Sequence, residues 1–292
     1  MNVYHYDRAS RFLEKVEPVL EKHEAVNNLL LGLLHMEAKG ETEGRVALDS
    51  YKMVVEDGDE RIRLIVLINS KNAILYGAEP FSLEAVKAVV ADLRARGAQV
   101  PGVIGPNEIA RSFAEEWAES NRLVPVLKMN QRIYQVDRVL PFSGSKGRLR
   151  LATVLDQELI AAWIKQFADS IHERITAEEA SNKTVGFIRQ AAVYLWDDDD
   201  GAVSMAKTTR PTKHGIVLSN VYTPPEHRNK GYASSCVAAL SQRMLDEGYS
   251  FCSLYTDLAN PTSNHIYSQI GYHPVRDSVM YRFAGEPGGK QE

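Results

Sequence analysis

The chain has 292 residues, of which 44% are hydrophobic and 25% charged, and its net charge is −4. That length holds two ordinary domains with cores of their own, and the composition excludes a disordered or fibrous chain. The small negative balance excludes a global field for nucleic acid or an anionic membrane, so any bound anion must be captured locally.

The opening MNVYHYDRAS lacks the apolar core of a signal peptide, and the greasiest run, Leu29 to Leu34, is too short to span a bilayer. A cytoplasmic protein is expected. Residues 10–38 carry apolar positions at helical spacing, and 45–55, 62–68 and 73–77 read as strands, with a hairpin turn at Asp57-Gly58-Asp59. A helix over 82–96 has Ser82 as its N-cap and Gly97 just past its end. A strand near 99–104, a helix over 107–120 and a strand near 131–139 complete the first half. PFSGSKGR, 141–148, is small, polar and basic and reads as a linker. Its Gly144-Ser145-Lys146-Gly147 core lacks Walker spacing and a strand-to-helix context.

The second half begins with helices over 156–168 and 177–190, then strands over 191–196 and 202–208. Asp197 to Gly201 lies between those strands, and its aspartates read as a solvated hairpin tip rather than a metal site. A strand over 216–223, a helix over 231–246, a strand over 250–256, a short helix over 262–270 and a strand over 278–283 close this half, leaving a loose tail over 285–292. The order strand 73–77, helix 82–96, strand 99–104, helix 107–120 matches strand 216–223, helix 231–246, strand 250–256, helix 262–270. A tandem duplication is therefore expected, with domains over 1–140 and 149–284. Cys236 and Cys252 form no CxxC pair and read as reduced core residues, and the eight histidines include no HExxH, so no metal is expected.

The two halves differ at the first strand-to-helix joint. In the first half it is AEPFSLEA, whose Glu79 and Glu84 suit a helix dipole but repel a phosphate. In the second it is PPEHRNKGYASS, Pro224 to Ser235. Free N–H groups at a helix start bind anions, Gly231 and Ala233 leave the backbone open, Arg228 and Lys230 add cations, and Ser234 and Ser235 add hydroxyls. That joint is suited to a phosphate-rich ligand; the alternative is a glycine turn with incidental surface charge.

Arg228-x-x-Gly231-x-Ala233 behind Val221-Tyr222-Thr223 resembles the acyl-CoA-binding motif of the GNAT (Gcn5-related N-acetyltransferase) superfamily, and Asn260 to Val275 resembles its second signature. The resemblance is close over 216–275 and extends by element order over 149–284; over 1–140 it is architectural, as in two-domain members with a degenerate first half. It implies an α/β fold, a mixed central sheet flanked by helices, the acyl-CoA N-acyltransferase fold in tandem. It implies acetyl-CoA as co-substrate, an amine or peptide acceptor, and direct acyl transfer without metal, nucleic acid or membrane. It further implies that Val221, Tyr222 and Thr223 bond the pantetheine arm through the backbone. The loop through Arg228, Asn229, Lys230, Gly231, Tyr232, Ala233, Ser234 and Ser235 would wrap the pyrophosphate, Asn260 and Asn264 would touch the cofactor arm, and Tyr267 matches the tyrosine often proposed as general acid.

The chemistry of the residues is compatible. Thioester-to-amine transfer needs a neutral amine, a stabilised oxyanion and a protonated leaving thiolate, and an N–H on the strand 221–223 is a candidate oxyanion donor. Asn264 and Tyr267, three apart, share a helix face; a packed aromatic is the other reading of Tyr267. Strand 215–223 carries no carboxylate where some members place a glutamate. Glu226 reads as a turn residue, Asp257 is a candidate acting through a water, and solvent can take the amine proton. Cys236 lies inside the helix, against a cysteine acyl-enzyme. The rival function is a non-catalytic acyl-CoA-binding sensor or scaffold; a nucleotide-binding protein is disfavoured by the lack of a Walker pair or GxGxxG.

Overall fold

A computed structural model of the protein describes residues 1–45, 50–141, 143–171 and 173–285, with the side chains of 261–263 excepted. Its elements are β1 (Asn2–Tyr6), α1 (Ala9–Leu20), α2 (Glu24–Thr42), β2 (Tyr51–Glu56), β3 (Ile62–Ile68), β4 (Ala73–Gly77), α3 (Leu83–Ala95), β5 (Gly102–Pro106), α4 (Asn107–Asn121) and β6 (Leu123–Val136). There follow β7 (Arg148–Leu151), α5 (Gln157–Ser170), α6 (Ala177–Arg189), β8 (Val193–Asp198), β9 (Gly201–Thr209), β10 (Gly215–Tyr222), α7 (Tyr232–Asp246), β11 (Phe251–Asp257), α8 (Pro261–Ile270) and β12 (His273–Gly285). The chain divides into two units: Met1–Ile133 with Thr256–Asn260 and the segment from Val275, and Tyr134–Tyr255 with Pro261–Pro274. Part of the expected strand over 45–55 and the tail beyond 285 lie outside the described residues.

In the first unit the strands run in the order β1-β2-β3-β4-β5-β12-β6. Alternation builds a core on each face of this sheet. Leu64, Val66 and Ile68 of β3 pack with Val86, Val89 and Leu93 of α3 and Phe113 of α4. The intervening Ile65 and Leu67 pack with Phe12 of α1 and Leu30, Leu31 and Leu34 of α2. Each such side chain contributes about 1.5–3 kcal/mol through burial. The expected cap holds: the Ser82 hydroxyl accepts from the Ala85 N–H at 3.2 Å, and Gly97 takes φ +64° past the helix end.

Three boundaries differ from the expectation. The helical run over 10–38 is two helices, parted by a 3₁₀ turn at Glu21–His23; the buried Asn27 Nδ2 donates to the Leu20 carbonyl at 2.9 Å, satisfying one acceptor left bare at the end of α1. β6 starts at Leu123, earlier than expected, running through Pro125, a residue that argues against a strand interior. The last strand does not close the second half. β12 pairs antiparallel with β5, from Ser278 opposite Pro106 to Arg282 opposite Gly102. Val279 is buried in the first unit's core, and Tyr281 and Phe283 pack against it. Periodicity identifies a strand but not the edge it joins.

In the second unit the strands run β11-β10-β9-β8-β7. Ile216 and Leu218 of β10 and Cys252 and Leu254 of β11 face α7, packing with Cys236, Val237, Leu240 and Met244. On the other face Leu195, Met205 and Tyr222 pack with Trp163 of α5 and Ala180 of α6. Thr176 and Glu179 form a capping box at the start of α6. This is a mixed sheet flanked by helices, as the sequence leads us to expect. Among the described residues no helix is long and apolar enough to cross a membrane.

The stretch expected as a linker is in part built into the second unit. The Ser145 N–H donates to the Ser235 hydroxyl at 2.8 Å, and Trp196 Nε1 donates to the Lys146 carbonyl at 3.2 Å. Any Cβ at Gly147 would collide with the Asp197 backbone. Phe142 lies outside the described residues.

Candidate functional site

β10 and β11 are parallel, in register from Gly215 opposite Phe251 to Val217 opposite Ser253. Among the described residues that pairing ends there, although β10 continues to Tyr222 and β11 to Asp257. The two strands part beyond Val217. On its other edge β10 carries a bulge between Ser219 and Tyr222 in its pairing with β9, and Asn220 within it has φ +49°. The bulge takes Asn220 and Val221 out of the ladder and leaves their backbone groups available to a ligand. Nothing in the sequence announced it except an asparagine, which tolerates that conformation better than most residues.

From Tyr222 the chain passes through Thr223, Pro224 and a 3₁₀ turn over Pro225–His227 into α7. Asn229 and Gly231 both adopt left-handed conformations, at φ +62° and +78°, which turn the backbone sharply onto the helix start. Gly231 is the N-cap; no side chain caps the first turn, and that turn holds no acidic residue. The N–H groups of Tyr232, Ala233 and Ser234 have no carbonyl within the helix. A Cβ at Gly231 would meet only Ser145 Cβ, at 3.9 Å, so the approach is open. An anionic group fits this joint.

The side chains around it take more definite roles than the sequence suggested. Arg228 Nε donates to the Thr223 carbonyl at 3.0 Å, and its guanidinium lies 6.0 Å from the Tyr222 ring, so it braces the loop. The Tyr222 side chain points to the α5 face, where its hydroxyl donates to Gln166 Oε1 at 2.9 Å; only its backbone can serve a ligand on the α7 side. Ser204 Oγ donates to the Tyr222 carbonyl at 3.1 Å and lies 2.9 Å from Thr223 Oγ1. The Ser235 hydroxyl donates to the Gly231 carbonyl at 3.1 Å, locking the turn. The Tyr232 hydroxyl donates to Asp198 Oδ2 at 2.7 Å. Lys230 is exposed.

The hairpin read at Asp197–Gly201 is present, but two of its aspartates are anchors. Asp198 holds Tyr232, and Asp197 accepts from Arg150 Nε at 2.6 Å.

Tyr267 lies in the core with its ring centroid 6.4 Å from Tyr134 and 5.9 Å from Tyr272. Burial pushes its phenol up to about 12. Asn264 precedes it by three residues on α8. Asn260 and Asp257 fall in the short segment that belongs with the first unit, where the Asp257 carboxylate accepts from the Ala259 N–H at 2.8 Å. Cys236 is fully buried, and burial pushes its thiol up to about 12, which removes it as a nucleophile at neutral pH.

The first unit carries a parallel pair of its own. β4 and β5 are in register at Ala73 opposite Val103 and Ile74 opposite Ile104. Its helix start is closed: Ser82 caps α3, and Glu84 stands in the first turn. Beside the strand end a cavity of about 770 Å³ is lined by residues including Lys22, His23, Tyr76, Glu79 and Phe81. No motif announces that cavity.

Residues 200–281 match the family model described as FR47-like protein. No curated protein matches the chain significantly. The structure is similar to a GNAT-family acetyltransferase from Colwellia psychrerythraea, with TM-score 0.61 and 10% identity over 97% of this chain and 100% of that one. It is similar to a GCN5-related N-acetyltransferase from Sphaerobacter thermophilus, with TM-score 0.60 and 14% identity over 85% and 84% of the two chains. A Drosophila protein gives TM-score 0.65 and 13% identity over 96% and 98%. At these identities the likeness is one of fold, and the family match covers the joint at the start of α7. The fold is thus the acyl-CoA N-acyltransferase fold that these acetyltransferases share, and residues 200–281 resemble the FR47-like family.

Proposed function

We propose that the second unit is an N-acetyltransferase that uses acetyl-CoA and passes the acetyl group directly to an amine. The observation that carries this reading is the parting of β10 and β11 beside an open, uncapped helix start. A pyrophosphate fits the first-turn N–H groups of α7, with Asn229 and Gly231 shaping the turn and Lys230 adding a cation at its rim. The backbone of Val221 to Thr223 lines one side of the gap, where an extended arm can bond as an added strand does. Asn264 is a candidate contact to the same arm. Coenzyme A supplies an activated thioester; the chain's own residues must orient it and manage charge.

In direct transfer the acceptor nitrogen bonds to the acyl carbon and gives up a proton to solvent, the carbon–sulfur bond breaks, and sulfur leaves with a proton from a donor that solvent then reprotonates. The bulged backbone at Asn220 and Val221 offers N–H groups where charge develops on the carbonyl oxygen. Tyr267 is the proposed proton donor. Its phenol, at about 12, is a weaker acid than a thiol of roughly 8.5, so a stepwise transfer would be uphill by about 5 kcal/mol. The proton must therefore move as the carbon–sulfur bond breaks, when the sulfur is most basic. The first unit, with its capped and acidic helix start, is read as a degenerate copy that binds no coenzyme A.

The test is a panel of small amines, polyamines, amino acids and peptides incubated with acetyl-CoA and scored by thiol release. Acceptor-dependent thiol supports the enzyme. Tight coenzyme A binding with no release from any acceptor would replace it with a sensor.

A further inference from the structure

Among the described residues, two partly or fully buried cations at one strand end stand without the carboxylate partners that Lys52 and Arg150 have. Lys52 Nζ pairs with Glu37 at 3.0 Å, and Arg150 pairs with Asp156 and Asp197. Lys207 on β9 is only 8% exposed. Its ammonium sits 4.2 Å from the Phe187 ring centroid and donates to the Thr208 carbonyl at 3.3 Å. Arg210, one residue past β9 at φ +44°, reaches across to the Tyr255 ring of β11, 5.6 Å away. Its Nε is buried without a hydrogen-bond partner. Among the described residues neither cation has a carboxylate in ion-pair range. Isolated buried charge is strongly unfavourable, so two adjacent unpaired cations mark a place for an anion. Burial, then the Arg210 charge, pulls Lys207 down to about 8, and burial lowers Arg210. An arriving anion would restore both.

Register locates the pair. Lys207 lies opposite Ser219, Thr209 lies opposite Val217, and Val217 lies opposite Ser253. Val217 and Ser253 are the last residues in register before β10 and β11 part. By alternation Lys207, Ser219 and Ser253 share the face of Met205 and Tyr222, which packs against α5 and α6. The Ser253 hydroxyl, like Arg210 Nε, lacks a hydrogen-bond partner: the residue is 1% exposed and Oγ has none. Two cations and a hydroxyl thus surround the point where the strands separate, on the face opposite the phosphate-binding joint of α7. A cofactor entering from α7 leaves this face to the acceptor.

We propose that Lys207 and Arg210 clamp a carboxylate of the acceptor, so that the amine acetylated by this protein is an amino acid or another amine that also bears a carboxylate. This rests on the reading of the second unit as an acetyltransferase.

The test compares matched acceptors: each L-amino acid against its decarboxylated amine, for instance tyrosine against tyramine. Thiol release from acetyl-CoA is followed with the parent protein, Lys207→Met and Arg210→Met. The parent should favour the carboxylate-bearing member. Each variant should raise KM for that member by about 10-fold to 100-fold, the usual worth of a hydrogen bond to a charged group. Turnover of the decarboxylated amine and coenzyme A affinity should hold. Thermal melting should hold or rise, because each variant removes an uncompensated buried charge; a merely structural role predicts a lower melting temperature. Equal losses for both members of a pair, or a parent preference for the decarboxylated amine, would overturn the clamp. Calorimetry of the amino acids against the coenzyme A-saturated protein separates this proposal from the acetyltransferase reading. Saturable binding that both variants abolish, without turnover, upholds the clamp and removes the enzyme. No saturable binding by any amino acid, together with no turnover of one, overturns the clamp.

Discussion

Gly231→Glu tests the phosphate joint most directly, and its effect divides into two parts. Gly231 has φ +78°, where a residue with a Cβ costs roughly 1–2 kcal/mol. Its built Cβ touches only Ser145 Cβ at 3.9 Å, so no steric penalty is added and the unit should stay folded. Gly231→Ala carries the conformational cost alone and is the control. The glutamate adds a carboxylate that the bare N–H groups of α7 will attract into the place proposed for a phosphate. Repulsion between two unit charges about 4 Å apart is about 1 kcal/mol in water and about 4 kcal/mol at an effective dielectric constant near 20. Affinity for coenzyme A should therefore fall by about 5-fold to 10³-fold beyond the alanine variant. Isothermal titration of both variants, with thermal melts to establish folding, reads this difference. A folded glutamate variant binding within about twofold of Gly231→Ala would refute the joint as the phosphate site.

Tyr267→Phe should lower kcat and kcat/KM together by roughly 10²-fold while coenzyme A affinity and melting temperature stay put, and parent-like turnover would strip Tyr267 of its role. Ser82→Ala removes the cap of α3 and should cost about 1 kcal/mol of stability. Coenzyme A should still bind at one site per chain, and a calorimetric stoichiometry of two would contradict the closed first unit. Asp156 is held down to about 2 chiefly by its bonds to Arg150. A folded value below the unfolded one stabilises above the ordinary carboxylate range, near 4, and that stabilisation is lost as pH falls toward about 2. Asp156→Asn should thus be less stable than the parent at pH 7, the gap closing on acidification; a gap that persists in acid unfolding curves would rule the ion pair out as its cause.

Local signals in the sequence by themselves determined much of this protein. The Ser82 cap and Gly97, the hairpins at Asp57-Gly58-Asp59 and at Asp197–Gly201, and the alternating apolar strands are short-range facts, because turn chemistry and side-chain period act over a few residues. The joint at Pro224–Ser235 was legible for the same reason: a left-handed glycine before an uncapped helix is written in consecutive positions. Tertiary structure alone decided which edge each strand joins. β12 pairs with β5 in the first unit, and no period in its sequence names that partner. It alone decided that Arg228 braces Thr223, that Ser145 is bonded to Ser235, and that Asn220 forms a bulge. Lys207 and Arg210 read in sequence as ordinary basic residues at the end of a strand. Only the register that sets Lys207 opposite Ser219, the reach of Arg210 to Tyr255, and the lack of a carboxylate in ion-pair range among the described residues turn them into a candidate acceptor site. Whether a charge is paired depends on distances through space, which neither composition nor spacing encodes.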